Sequence, residues 1–108
     1  MNNKKILLLC HDLTTRLHLN STWTAAGVEM LAATSEESPD CIVIDLGRRD
    51  ALDEIARRRE RHPDVTIIAC FATYNDEAVG AAKAAGANDI AARSFVDRRV
   101  ARLLQLEL

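Results

Sequence analysis

Short apolar runs recur along the chain and are separated by stretches whose apolar residues fall at helical spacing. The runs are Ile6 to Cys10, Val28 to Ala33, Cys41 to Ile44, Val65 to Phe71 and Ile90 to Ala92. Each is too uniformly aliphatic to keep one face in water, which predicts strands buried on both sides. After the first run, Asp12 or Thr14 is placed to cap a helix on which Leu19, Trp23 and Ala26 share a face, and Gly27 ends it. Asp50 predicts the N-cap of a helix that buries Leu52, Ile55 and Ala56 and stops ahead of Pro63. Asn75 predicts the cap of an Ala-rich helix ending at Gly86, and a terminal helix from Asp97 carries Val100, Leu103 and Leu104.

One connection breaks the alternation. Thr34 to Asp40 is too short and too rich in Ser, Glu and Pro for a helix of ordinary length. Strands alternating with helices predict an α/β fold, a three-layer αβα sandwich around a five-stranded parallel sheet. The flavodoxin-like strand order 2-1-3-4-5 fits this element order, with the second crossover helix shortened or missing. Apolar sheet surface near the first two strands is then expected to lie open, and such surface marks a partner or a second copy.

Composition narrows the function classes. With 108 residues, 48% hydrophobic, four Gly and two Pro, the chain reads as one globular domain over 1–108. A formal charge of −2 gives no general attraction to nucleic acid or to an anionic membrane. Arg57, Arg58, Arg59 and Arg61 cluster at the end of a predicted helix, where cations suit the dipole, so a solvated face is expected there. No apolar stretch approaches the roughly 20 residues that span a bilayer, and the start lacks the apolar core of a signal peptide, so a cytoplasmic protein is expected. Cys10, Cys41 and Cys70 lie on different predicted strands without paired spacing, which predicts buried reduced thiols.

Asp45 is the residue that apolar patterning does not explain. It closes the run Cys41-Ile42-Val43-Ile44, and parallel sheets keep their ligands and chemistry at the carboxyl ends of the strands. The surrounding segments resemble the receiver domain of bacterial two-component response regulators over essentially the full chain. Lys4-Lys5-Ile6-Leu7-Leu8-Leu9 is similar to that family's first strand, and Pro39-Asp40-Cys41-Ile42-Val43-Ile44-Asp45-Leu46 to the strand delivering its phospho-accepting aspartate. Arg61-His62-Pro63-Asp64-Val65 and Ala84-Ala85-Gly86-Ala87-Asn88-Asp89 are similar to its approaches to the fourth and fifth strands. The resemblance implies that Asp45 is the phosphoacceptor position, served in the family by Mg²⁺ on two acids and by a Lys.

The accessory positions differ. The two acid positions fall on Cys10 and His11, with Asp12 one place late; the hydroxyl position at the end of the fourth strand falls on Phe71, followed by Ala72. The Lys-Pro pair falls on Arg93-Ser94, and the aromatic switch position on Ile90. Mg²⁺ wants hard oxygen ligands in near-octahedral geometry, so a thiol and an imidazole are poor replacements and no cofactor is expected. Arg93 is expected to clamp Asp45 as an internal ion pair.

Three readings of the site stay open: a retained acid in an ion pair, a conventional phosphoacceptor at Asp45, and a soft-metal site on Cys10, His11 and Asp45. Alternation of successive strand residues argues against the last. A nucleotide or FMN site is a further alternative, for which His11-Asp12-Leu13-Thr14-Thr15-Arg16 is a weak phosphate loop. The expectation is a degenerate receiver, not an enzyme, that acts through protein contact with a histidine-kinase-type signalling protein or another partner, with a homodimer as one form.

Overall fold

The computed structural model describes residues 3–108. Nine elements follow in chain order: β1 (Lys5–Leu9), α1 (Leu13–Ala25), β2 (Glu29–Leu31), β3 (Cys41–Asp45), α2 (Ala51–Arg61), β4 (Thr66–Phe71), α3 (Asp76–Ala85), β5 (Asp89–Ala92) and α4 (Val96–Leu104). The strands form one parallel sheet in the order β2-β1-β3-β4-β5. This is the flavodoxin-like topology that the alternation of runs predicts, with no helix between β2 and β3.

The sheet is covered on both faces. Ile6, Cys41, Val43, Ile68 and Cys70 pack with Leu19 and Trp23 of α1 and with Val96 and Val100 of α4. Leu7, Leu9, Ile42, Ile44 and Ile67 pack on the other face with Ile55 of α2 and Ala82 of α3. Period-two alternation within each strand divides these sets, so nearly every residue of the central strands is apolar. β3 is the limiting case: all its residues are buried, the terminal Asp45 included. The three cysteines are buried and unpaired, as expected.

Several helical faces differ from the sequence expectation. Along α2 the buried residues are Ala51, Glu54, Ile55 and Arg58, while Leu52 is 42% exposed and Ala56 is also in solvent. The spacing is still i, i+3, i+4, i+7, but the stripe is rotated and half of it is charged. Glu54 and Arg58 neutralise each other at 2.9 Å, which lets them bury together. Burial opposes the Glu54 carboxylate, and its bonds to Arg57 and Arg58 outweigh that, holding its pKa below the ordinary value. In α4, Val100 and Leu104 are buried as expected, whereas Leu103 is 44% exposed. Asp50 occupies the N-cap of α2 but takes Arg48 and caps no N–H.

The arginine run is a solvated face only in part: Arg57 and Arg61 are exposed, whereas Arg58 and Arg59 are drawn in. Arg58 donates to Ala33 O, just past β2, at 3.2 Å. Arg59 donates to the carbonyls of Gly86, His62, Pro63 and Val65 and to Asn88 Oδ1, and Asn88 Oδ1 in turn accepts from Ile67 N–H at 2.8 Å. One guanidinium thus ties the end of α2 to the starts of β4 and β5. Gly86 is needed beneath it: its φ is +128°, and a Cβ there would meet Arg59 Cβ and Cγ at 2.9 Å.

The missing crossover helix leaves less open than its absence implies. None of the large exposed apolar side chains, Leu13, Leu17, Leu52, Tyr74, Phe95, Leu103 and Leu108, lies on a strand. Leu7 and Leu9 are buried and Leu31 is half-buried against the same core. The buried stem of Arg58, running toward Ala33, helps close that side. Polar anchors fix the connection itself: Lys5 N–H donates to Asp40 Oδ2 at 2.8 Å, and Lys5 Nζ to Glu37 Oε1 at 2.7 Å. β2 is accordingly a short edge strand with Glu29 exposed, and not a strand buried on both sides.

Candidate functional site

The ends of β1, β3, β4 and β5 converge on Asp45. Its position is set by the ladder, in which Asp45 stands opposite Cys70 and the next N–H, that of Leu46, donates to Cys70 O at 2.8 Å. Arg93 follows β5 and is fixed in the same way, its N–H donating to Phe71 O at 2.9 Å. The two side chains meet across β4: Arg93 Nη2 donates to Asp45 Oδ2 at 2.5 Å. Asp45 is 0% exposed, while the Arg93 side chain keeps 23% of its surface in water.

The remaining acceptor capacity of Asp45 is also used. Gly47 N–H donates to Oδ1 at 2.9 Å, and the Cys10 thiol donates to Oδ2 at 3.3 Å. His11 Nδ1 stands 3.6 Å from Oδ2. A buried carboxylate requires this degree of satisfaction. Burial disfavours the charge on Arg93, but the hydrogen bond and charge of Asp45 outweigh it and raise the guanidinium pKa above its ordinary value. Burial, reinforced by Asp45 beside it, pushes the Cys10 thiol up to about 11, so it is a neutral donor at ordinary pH and a poor nucleophile.

Cys10 and His11 both approach the same carboxylate, contrary to the expectation that successive residues point apart. The reason is that β1 ends at Leu9, so strand alternation no longer governs them. Even so, the described residues contain no group of three His, Cys, Asp or Glu side chains arranged to hold a metal ion. The donor set fits Mg²⁺ poorly for the same reason as in the sequence: a thiol, an imidazole and a carboxylate already committed to a guanidinium are not a hard-oxygen octahedron.

The Asp12 side chain bonds neither Asp45 nor Arg93. It caps α1, accepting from Thr15 N–H at 2.9 Å and Thr15 Oγ1 at 2.6 Å, and these bonds lower its pKa. Ile90 packs into the core beside α3 and does not line the cleft. Phe71 and Ala72 do line it, and Phe71 meets Tyr74 edge-to-face at 5.5 Å. The cleft, about 270 Å³, is bounded by Asp45, Gly47, Phe71, Thr73, Asn75, Val79 and Arg93 among others.

Gly47 and Thr73 are among the cleft residues that the sequence reading missed. Gly47 has a readable signal in retrospect, a glycine two places after a buried acid. A Cβ there would lie 2.8 Å from His11 Cε1 and 3.2 Å from Asp45 Oδ1, so only glycine admits both neighbours without a shift. Thr73 brings a hydroxyl to the cleft two residues beyond Phe71, and no local pattern distinguishes it from a loop threonine.

No protein-family model and no curated protein sequence matches the chain. Solved structures do. A CheY-like response regulator receiver domain protein of Methanospirillum hungatei JF-1 superposes with a TM-score of 0.83 at 15% identity, over 96% of this chain and 92% of that one. The chemotaxis protein CheY4 of Vibrio cholerae gives 0.81 at 18% identity, over 96% and 98%. The response regulator DrrB of Thermotoga maritima, an OmpR/PhoB homologue, gives 0.79 at 21% identity, over 96% of this chain but 54% of its own length. The chain has the fold of response regulator receiver domains. None of its described helices is long and apolar enough to cross a membrane.

Proposed function

We propose that the chain is a degenerate receiver: a cytoplasmic module of a two-component-type (phosphorelay) pathway that acts by protein contact and not by catalysis or Mg²⁺-dependent aspartyl phosphorylation. The observation that carries this reading is the state of Asp45. Its oxygens are taken by Arg93, Gly47 N–H and Cys10, and none of its surface reaches solvent. An acceptor carboxylate has to present a free oxygen in line with a phosphoryl group, with metal and cation arranged around it. Here the cation is spent on the carboxylate itself, and the metal positions hold a thiol and an imidazole.

Incubation with acetyl phosphate and Mg²⁺, read by intact mass, is expected to show no Mg²⁺-dependent phosphoryl adduct. The conventional reading, phosphorylation on Asp45, is restored by an adduct that requires Mg²⁺ and disappears in Asp45→Asn.

A histidine-kinase-type protein or another signalling protein is the partner this reading implies. Self-association is part of the proposal, and the exposed Phe95 and Leu103 on and beside α4 support it. With no aromatic at the Ile90 position to toggle, pairing depends on protein concentration alone, because a ligand that does not distinguish two states cannot shift them. Sedimentation equilibrium is expected to show concentration-dependent dimer, unchanged by beryllofluoride. A strictly monomeric protein removes self-association, and dimerisation that needs beryllofluoride favours the conventional receiver.

A further inference from the structure

The pocket that closes Asp45 off leaves a different nucleophile open. The His11 side chain is 53% exposed, and its Nδ1 is turned toward the fully buried Asp45 carboxylate at 3.6 Å. A carboxylate beside one ring nitrogen favours the tautomer with the proton on that nitrogen, leaving the lone pair on the other. Nε2 has no hydrogen-bond partner among the described residues. The ring rests on the bare face of Gly47, on which Arg93 Nη2 also closes. Arg93 Nε is shielded from solvent and bonds nothing among the described residues.

We infer that His11 is a phosphorylation site, with Nε2 as the nucleophile toward a small activated phosphodonor and Asp45 as its positioning residue. The inference rests on the reading that Asp45 is not itself the acceptor. In the step, the Nε2 lone pair forms the N–P bond as the bond from phosphorus to the leaving group breaks. The leaving group departs with that electron pair and takes a proton from water, and Nδ1 keeps its proton toward Asp45. No metal and no oxidant enters the balance. The 3.6 Å separation is long for a hydrogen bond, as such contacts commonly are before a substrate binds.

The chain contains its own control, because His18 is also exposed but lies on α1 away from Asp45. Treatment with phosphoramidate in EDTA, followed by mass spectrometry under alkaline conditions, locates the adduct. One acid-labile phosphoryl group is expected on His11, formed at least about tenfold faster than on His18, lost in His11→Gln and slowed about tenfold or more in Asp45→Asn while the His18 rate holds. Equal labelling of His11 and His18, a His11 rate indifferent to Asp45→Asn, or no adduct on His11 overturns the inference. Silence at His11 leaves the proposed function standing; phosphorylation of Asp45 is read separately, at neutral pH in the acetyl phosphate and Mg²⁺ assay, where a Mg²⁺-dependent adduct overturns both.

Discussion

Arg93→Ala is expected to destabilise the protein by about 3 kcal/mol, and Asp45→Ala by about 1 to 3 kcal/mol. The asymmetry follows from burial. Removing Arg93 leaves a carboxylate with no surface in water and, besides His11 Nδ1 at 3.6 Å, Gly47 N–H and the Cys10 thiol as partners. Removing Asp45 leaves a guanidinium with 23% of its side chain already in solvent, which water can partly satisfy. For a domain of this size each kcal/mol moves the midpoint of thermal unfolding by roughly 4 °C. Urea and thermal melts of the two variants and of the double variant measure the coupling directly. A midpoint unchanged in both single variants shows that the pair does not hold the strand ends together.

Arg59→Ala is expected to cost about 2 to 3 kcal/mol, more than an ordinary surface arginine. Truncation strands the carbonyls of Gly86 and Val65 and leaves Asn88 unbraced against Ile67 N–H. Arg59→Lys is expected to recover little, because one ammonium cannot reproduce a planar fork that spans carbonyls on both sides of β4. The measurement is a chemical melt with the slope checked for constancy, since a changed slope signals a different denatured or native state. An Arg59→Ala variant within 0.5 kcal/mol of the parent, on the order of a typical surface substitution, counts against the clamp.

The two clamps show where sequence reasoning works and where it stops. Strands β1, β3 and β4 announce themselves because burial on both faces demands uninterrupted aliphatic residues, whereas β5, an edge strand with only Ala91 fully buried, carries a weaker form of the same signal. The absent crossover is equally legible, since no helix of normal length fits between Ala33 and Asp40. The Asp45–Arg93 pair was readable because the resemblance to receiver domains places Asp45 at the acceptor position and Arg93 at that of its lysine, and the strand order then puts the ends of β3 and β5 on either side of β4. Helix faces were not readable to the same degree. Glu54 and Arg58 are polar letters that periodicity assigns to solvent, and only the knowledge that they neutralise each other and reach Ala33 places them inside. Cys10 and His11 were misjudged in orientation because strand alternation was carried one residue past the strand's actual end. Arg59 reads as a solvated charge because no local pattern shows that it turns back onto the carbonyls of His62, Pro63 and Val65, or that it reaches Gly86 and Asn88, 27 and 29 residues away.

Stability is consequently distributed unevenly across the sheet. β3 is covered on both faces and paired on both edges, so its amide protons are released only when the whole molecule unfolds. β2 pairs with β1 alone over Lys5↔Glu29, Ile6↔Met30 and Leu7↔Leu31, with a few polar anchors in place of a helix behind it. Amide protons of that edge are therefore expected to exchange ahead of those of the centre, at a free energy below that of global unfolding. Events at the strand ends are thus insulated from fraying at the edge, and a protein captured through β2 binds the part of the molecule that resists it least.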